Sequence, residues 1–119
     1  MDTWEALYNF WSSFGIPAYD ESSVPSDAVL PYISYRPAAG ILGETVSMGA
    51  SIWSRSRSWE EADGIADRIA EKIGRGGINI SVDNGAVWIK RGTEFAQHMS
   101  DPDDTIRRIY LMIEVEFFI

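Results

Sequence analysis

The sequence has no cysteine, one histidine, and only 10 basic residues against 18 acidic ones. Without cysteine the chain has no disulfide, no thiolate metal ligand and no cysteine nucleophile. The formal net charge of −8 argues against a nucleic-acid-binding protein, because phosphate neutralisation needs clustered Lys and Arg. No run of ~20 apolar residues occurs, so we expect no membrane span. The first residues lack a basic leader followed by an apolar segment, so we expect no secretory signal.

What the sequence does contain is a large apolar fraction. Hydrophobic residues make up 45% of the 119 residues, and five of them are Trp. This composition is typical of a folded protein, and the length suits one domain with one core. We therefore expect residues 1–119 to form a single α+β domain, for the reasons that follow.

The clearest unit lies between residues 45 and 74. Residues 45–53 alternate apolar and polar side chains, which predicts a half-buried strand. Ser58 and Glu61 have the spacing of a capping box, which predicts a helix start. Gly74 is placed to end that helix. The apolar positions at helical spacing between them are Ala62, Ile65, Ala66, Ile69 and Ile73.

The segments before this unit predict a helix and a strand. Residues 2–14 form an aromatic-rich helical pattern with Asp2 as its cap. Residues 18–30 indicate a loop, and residues 31–36 indicate a short strand between prolines. Residues 38–44 indicate a long, mobile hairpin tip that leads into the next strand.

The segments after the unit predict three more strands. Residues 78–82 and 87–91 flank an Asp-Asn-Gly turn, which is typical of a hairpin. Residues 93–104 indicate a polar excursion, and residues 109–119 alternate throughout, which predicts a long central or paired strand. The order is therefore α-β-β-α-β-β-β. We expect an α+β fold with a mainly antiparallel sheet of about five strands and two helices packed on one face.

No motif for chemistry emerges from the sequence. His98 has no Ser and Asp partners at a spacing that supports a triad, and is expected to be solvated. The acidic cluster at residues 101–104 does not fit a calcium loop, because Ile106 and Met112 occupy its sixth and twelfth positions. We expect that cluster to form a turn. No enzyme activity, cofactor or metal is expected.

Several stretches resemble a known protein group. The chain resembles the tail terminator and minor tail proteins of long-tailed bacteriophages and prophages along nearly its whole length. The stretches that carry the resemblance are 30–35 (LPYISY), 50–56 (ASIWSRS), the helix with Ile65, Ile69 and Ile73, 88–92 (WIKRG), 95–97 (FAQ) and 101–110 (DPDDTIRRIY). These stretches are structural and contain no catalytic signature.

The resemblance implies a protein that forms a ring, typically a hexamer, on the head-proximal end of the tail tube. Such a ring stops tube polymerisation and offers the surface that joins tail to head. The implied partners are further copies of the chain, the tail tube protein and the head-tail connector protein, with DNA passing through the ring without specific binding. The implied location is the virion tail at the head-tail junction, after assembly in the host cytoplasm.

A closed ring needs two different patches on each subunit. Candidate patches are the tip, the 93–104 excursion and aromatic side chains, although core packing is the alternative for each aromatic residue. The residues that we select as subunit or tube contacts are Gly40, Ile41, Leu42, Trp53, Arg55, Arg57, Trp88, Phe95, His98 and Met99. Two other functions stay open: another head-tail junction component, such as a head-closure or tail-completion protein, and a small acidic binding or inhibitor protein.

Overall fold

Two helices and a six-stranded sheet make up the computed structural model, which describes residues 1–40 and 42–119. The elements in chain order are α1 (Thr3–Ser12), β1 (Ala18–Asp20), β2 (Tyr32–Tyr35), β3 (Thr45–Arg55), α2 (Glu60–Ile73), β4 (Ile78–Val82), β5 (Gly85–Met99) and β6 (Ile106–Phe118). The strand order in the sheet is β1-β2-β3-β6-β5-β4, and only the β1–β2 pair is parallel. The α+β class and the mainly antiparallel sheet are confirmed.

One face of the sheet carries the core, because β3 and β6 alternate in register. Ile52 pairs with Ile109 and Met48 pairs with Ile113, and all four side chains are buried. Both helices contribute to the same hydrophobic cluster, so the prediction of two helices on one face is confirmed. The α1 side chains in that cluster are Leu7, Phe10 and Trp11, and those of α2 are Ala62, Ile65, Ala66, Ile69 and Ile73.

The opposite side of the sheet has no helix over it in the described part of the chain. We call it the open face; it carries Ser47, Trp53 and Trp88 together with alternate residues of β6 such as Arg108 and Tyr110. Neither α1 nor α2 is long and apolar enough to cross a membrane.

The ends of the helices differ in part from the predictions. The Asp2 carboxylate accepts a hydrogen bond from the Glu5 amide at 2.8 Å, as predicted for a cap. The helix stops at Ser12 instead of residue 14, because both the amide and the hydroxyl of Ser13 bond to the Phe10 carbonyl.

At the start of α2 the predicted capping box is wrong. The Ser58 hydroxyl accepts from the Glu60 amide, but the Glu61 carboxylate accepts from the hydroxyl of Ser54 instead of reaching back to Ser58. Ser54 is fully buried on β3, so its hydroxyl needs an acceptor there. At the other end Gly74 has φ 72° and its amide bonds to the Ala70 carbonyl, as predicted for the helix stop.

Two strand segments were missed by the sequence. Residues 18–20 lie in the predicted loop but form β1, held by hydrogen bonds from Ile33 to the Pro17 carbonyl and from Glu21 to the Tyr35 carbonyl. The predicted excursion at 93–104 is also wrong in its first half. After a bulge between Arg91 and Ala96, β5 pairs with β6 again as far as Met99.

The connection between β2 and β3 does not project as a free tip at the places described. An added Cβ on Gly40 would lie 2.7 Å from a ring carbon of Phe117, so the backbone packs directly on that ring. The Gly43 amide donates to the Phe117 carbonyl at 3.0 Å. Both flanks of the connection are thus attached to the end of β6. Ile41 lies outside the described residues.

Gly64 offers a direct test of helix propensity. It lies inside α2 on the exposed side, and a Cβ added there would meet no atom within 4 Å. Because glycine costs about 1 kcal/mol relative to alanine in an exposed helix, Gly64→Ala should raise the free energy of unfolding by roughly 0.5–1 kcal/mol. Urea denaturation measures this change, and a loss of stability would contradict the packing described for α2.

Candidate functional site

The predicted contact residues separate into two groups at opposite ends of β6. Arg55, Trp53 and Met99 lie beside its first residues, because they pair with Ile106 or Arg108. Trp88 and the 38–44 connection lie beside its last residues. The ends of a 13-residue strand are roughly 40 Å apart. The predicted residues therefore belong to two surfaces instead of one.

The first surface is an aromatic ladder on the open face. Tyr32 lies 6.4 Å from Trp53 between ring centroids, and the Arg108 guanidinium lies 4.8 Å from the Trp53 ring. The same guanidinium lies 5.9 Å from the ring of Tyr110. Hydrogen bonds fix the ladder, because the Trp53 indole donates to the Ser34 hydroxyl at 2.9 Å. Trp, Tyr and Arg are the residue types enriched in protein interfaces.

Next to the ladder lies a cleft of about 370 Å³ at the start of α2. His98 stacks on Trp59, with ring centroids 3.6 Å apart and planes inclined by 1°. The His98 Nε2 atom lies 2.7 Å from a carboxylate oxygen of Asp63, so the end of β5 is attached to α2. His98 is half exposed, but it is held on both sides, which corrects the prediction of a merely solvated side chain. Met99 lines the same cleft and is 36% exposed.

Arg107 fastens the loops around this cleft. One guanidinium nitrogen donates to the Arg57 carbonyl at 2.7 Å, and the other donates to the Asp104 carbonyl at 3.0 Å. The guanidinium carbon lies 5.4 Å from the centroid of the Trp59 ring. Within the described residues, the buried Nε of Arg107 has no hydrogen-bond partner. The side chain of Arg57 itself is exposed.

The acidic cluster forms the turn that the sequence predicted. Hydrogen bonds from the hydroxyl and then the amide of Thr105 hold the pKa of Asp103 below its usual value. Arg55 donates to the same hydroxyl oxygen at 3.0 Å and lies 3.8 Å from the Asp103 carboxylate. Asp101 accepts from the Asp103 amide at 2.9 Å. Arg55 is thus occupied by the turn in this structure.

The second surface lies at the far end of β6. The Trp88 indole donates to the Gly76 carbonyl at 2.9 Å, and the Lys90 ammonium lies 4.6 Å from the Trp88 ring. Phe118 is 6.5 Å from that ring and 40% exposed. Leu42 is 67% exposed on the connection beside Phe117. Phe95 lies apart from both surfaces, in the β5 bulge, where it is half buried against the core.

Several important residues escaped the sequence reasoning. Trp59 was treated only as a residue of the helix start, whereas it forms one wall of the cleft. Tyr32, Arg108 and Tyr110 are not among the contact residues that the sequence predicts. Alternation along β6 places Arg108 and Tyr110 on the open face and could have found them. Their contact with Trp53 depends on the β3–β6 register, which the sequence does not display.

Nothing in these surfaces resembles a reaction centre. Among residues 1–40 and 42–119, no three His, Cys, Asp or Glu side chains are close enough to hold a metal ion. Glu114 and Glu116 lie on the open face opposite Lys90 and Trp88 of β5, in ordinary cross-strand pairs.

Comparison with solved structures identifies a similar fold in a virion particle. The sequence matches no protein family model and no curated protein. Among solved structures, a chain of the "Virion of native gene transfer agent (GTA) particle" has a similar fold, with a TM-score of 0.70. The similarity covers 96% of this chain and 92% of that chain, at 17% sequence identity. At this identity the match demonstrates a shared fold.

Proposed function

We propose that this chain is a structural protein of a phage-like virion, and that it acts as the tail terminator. In this role it forms a ring, a hexamer in the group it resembles, on the head-proximal end of the tail tube. The ring stops tube polymerisation and provides the surface that joins the head. The observation that carries the proposal is the fold shared along nearly the whole chain with a chain of a gene transfer agent virion.

Two features of the molecule support a role in assembly. The open face presents an ordered Tyr-Trp-Arg-Tyr ladder without a helix over it, which is the composition of an interface core. The exposed face of α1 adds Trp4, at 53% exposure, and Tyr8, at 49%. A single chain thus offers aromatic patches on both the helix side and the sheet side. A head-to-tail ring requires two such different patches.

The charge of the chain fits a ring through which DNA passes. A net charge of −8 repels the phosphate backbone, so DNA would not adhere in transit. The proposed partners are further copies of the chain, the tail tube protein and the head-tail connector protein. The proposed location is the tail at the head-tail junction, after assembly in the host cytoplasm. No catalytic role belongs to this proposal.

The test combines assembly with tube growth. Native mass spectrometry and negative-stain imaging should reveal a closed ring with an open centre, alone or after addition of the tail tube protein of the same particle. Added during tube polymerisation, the protein should shorten the tubes and remain bound at one end. Binding to the connector without any effect on tubes would favour a head-closure protein. A protein that stays monomeric in both mixtures and is missing from purified particles would refute the virion role.

A further inference from the structure

The sheet has two notches where a strand lacks a neighbour. β3 has 11 residues, but β2 pairs with only four of them, Ala50 to Trp53. Within the described residues no strand lies beside Thr45–Met48 on that side. On the other side of the sheet, β4 pairs with β5 only from Gly85 to Ile89. The last four residues of β5, Ala96–Met99, therefore also lie at a free edge.

The free edges carry backbone groups that point outward. The Gly49 carbonyl accepts a hydrogen bond from the Arg36 amide, so the backbone groups of Gly49 point toward the β2 side of β3. Thr45 and Ser47 are also odd-numbered, so their amides and carbonyls point to the same side. Phe117 exchanges hydrogen bonds with residues 43 and 44, so odd-numbered residues of β6 face β3 and even-numbered ones face β5. Gln97 and Met99 pair with even-numbered residues of β6.

It follows that Ala96 and His98 direct their amides away from β6, toward the notch. An unpaired row of amides and carbonyls on a strand is a template for another strand. Each notch is four residues long and contains two residues of this kind, and the two notches lie on opposite edges of the sheet.

We propose that the two notches join successive copies of this chain: the free edge of β3 in one copy pairs with the free end of β5 in the next. This inference rests on the proposed ring. A contact between two different edges is heterologous, so it propagates from copy to copy and can close under rotation. β3 and β5 both run antiparallel to β6, and in the proposed joint these strands run along the ring axis, so rotation about that axis keeps their direction. The joint is therefore a parallel strand pair.

The pleat fixes which residues meet. Ser47 pairs with Glu114 and Gln97 pairs with Tyr110, so both side chains lie on the open face. A continuous sheet keeps side chains of one face together, and the joint that we propose uses the register with Ser47 beside Gln97. Glu114 of one copy then lies level with Tyr110 of the next copy. Successive copies are therefore displaced along the strand direction by four residues, roughly 13 Å at the rise of a strand. Closing a sheet on itself requires a stagger and strand tilt of this kind.

The rest of the chain leaves room for this joint. With Ser47 beside Gln97, the neighbour's β2 would lie past the end of β5, because β2 flanks β3 only from residue 50 onward. Arg36, which bonds to the Gly49 carbonyl, would lie level with Met99, so the joint extends as far as His98. β4 flanks β5 only up to residue 89, so it would lie before the neighbour's β3 begins. The 38–44 connection of that neighbour falls beside the β5 bulge. In this register Thr45 of that neighbour lies beside Phe95.

Disulfide trapping is a direct test of the joint, because the chain has no cysteine of its own that could form other disulfides. Neighbouring strands place Cα atoms within the distance that a disulfide bridges. Under mild oxidation the double variant Ser47→Cys with Gln97→Cys should give a ladder of covalent oligomers in denaturing gels. The matched control is Ser47→Cys with Lys90→Cys; Lys90 is on the same face of β5 but outside the free end, so no ladder is expected. Dimers from Ser47→Cys alone would indicate a two-fold contact and overturn the proposal.

Substitution of Ala96 by proline provides a second test of the joint between β3 and β5. Ala96→Pro removes an outward amide and leaves the β5–β6 hydrogen bonds in place, so the melting temperature should stay near that of the wild type. The ring fraction in native mass spectrometry should fall at least tenfold, while Ala96→Ser, which keeps the amide, should assemble normally. Persistent rings in Ala96→Pro without any Ser47–Gln97 ladder would overturn this joint and leave the ring itself intact. No ring from the wild type, with or without tube, would overturn both.

Discussion

Replacing Trp11 with alanine should lower the free energy of unfolding by about 3–5 kcal/mol, the usual cost of truncating a fully buried Trp. Trp11 is 1% exposed and joins α1 to the sheet. Its ring lies 6.2 Å from that of Tyr35 on β2 and 4.9 Å from that of Phe10. The cavity left behind would separate the helix from the β1–β2 side of the core, since α1 contacts both strands.

Trp4→Ala is the matched control in the same helix. Trp4 is 53% exposed, and its truncation should change the free energy of unfolding by less than about 1 kcal/mol. Urea denaturation followed by circular dichroism measures both variants, and the Trp11 variant should melt roughly 10–25 °C lower than the wild type. Equal losses for the two variants would contradict the placement of α1. Trp4→Ala also probes assembly, because a defect in ring formation at normal stability would assign the exposed side of α1 to an interface.

The parts of the fold that the sequence predicted are those in which side-chain burial follows a simple period. Burial alternates from Ile109 onward in β6 and along β3 except at the buried Ser51, and the helical spacing of α2 coincides with its buried face. The Asp-Asn-Gly turn depends on local chemistry alone, so its position between β4 and β5 was also predictable.

The missed parts depend on backbone pairing at a distance. β1 has three residues, too few to display a period, and it exists because Pro17 and Glu21 bond to β2. The second half of β5 was hidden because the bulge after Arg91 interrupts the alternation. The His98 contacts escaped for a related reason: Trp59 and Asp63 are more than thirty positions earlier in the chain and meet His98 only once β5 packs near α2.

The sequence indicated the types of residue in the candidate surfaces, but it did not indicate which of those residues lie together. Trp53 could be assigned to the face opposite the core from its parity alone. That Arg108 lies against it, and that Trp88 belongs to another surface eight positions farther along β6, roughly 26 Å at the rise of a strand, depends on the register of β6 with both neighbours. The contact role of these residues remains a prediction.

The other large effect is expected from Phe117→Ala, which should also lower the free energy of unfolding by about 3–5 kcal/mol. Phe117 is completely buried, pairs with Val87 and packs under Gly40. The neighbouring Phe118 is the matched control, because it points to the open face and is 40% exposed. Phe118→Ala should cost less than about 1 kcal/mol.

Phe117→Ala has a second, local consequence at the β2–β3 connection. The ring is the surface on which Gly40 rests, whereas the Gly43 amide bonds to the backbone carbonyl of residue 117. Removing the ring should increase hydrogen exchange at Gly43 by tenfold or more, beyond the increase at Met48, which pairs with Ile113 in the middle of β3. In Phe118→Ala the exchange at Gly43 should stay at the wild-type rate. If Gly43 and Met48 accelerate equally, the variant only destabilises the whole domain, and the Phe117 ring does not anchor the connection. If Gly43 alone accelerates, β6 positions the Leu42 side of the connection, and a ring that depends on it should assemble poorly at temperatures where the variant remains folded.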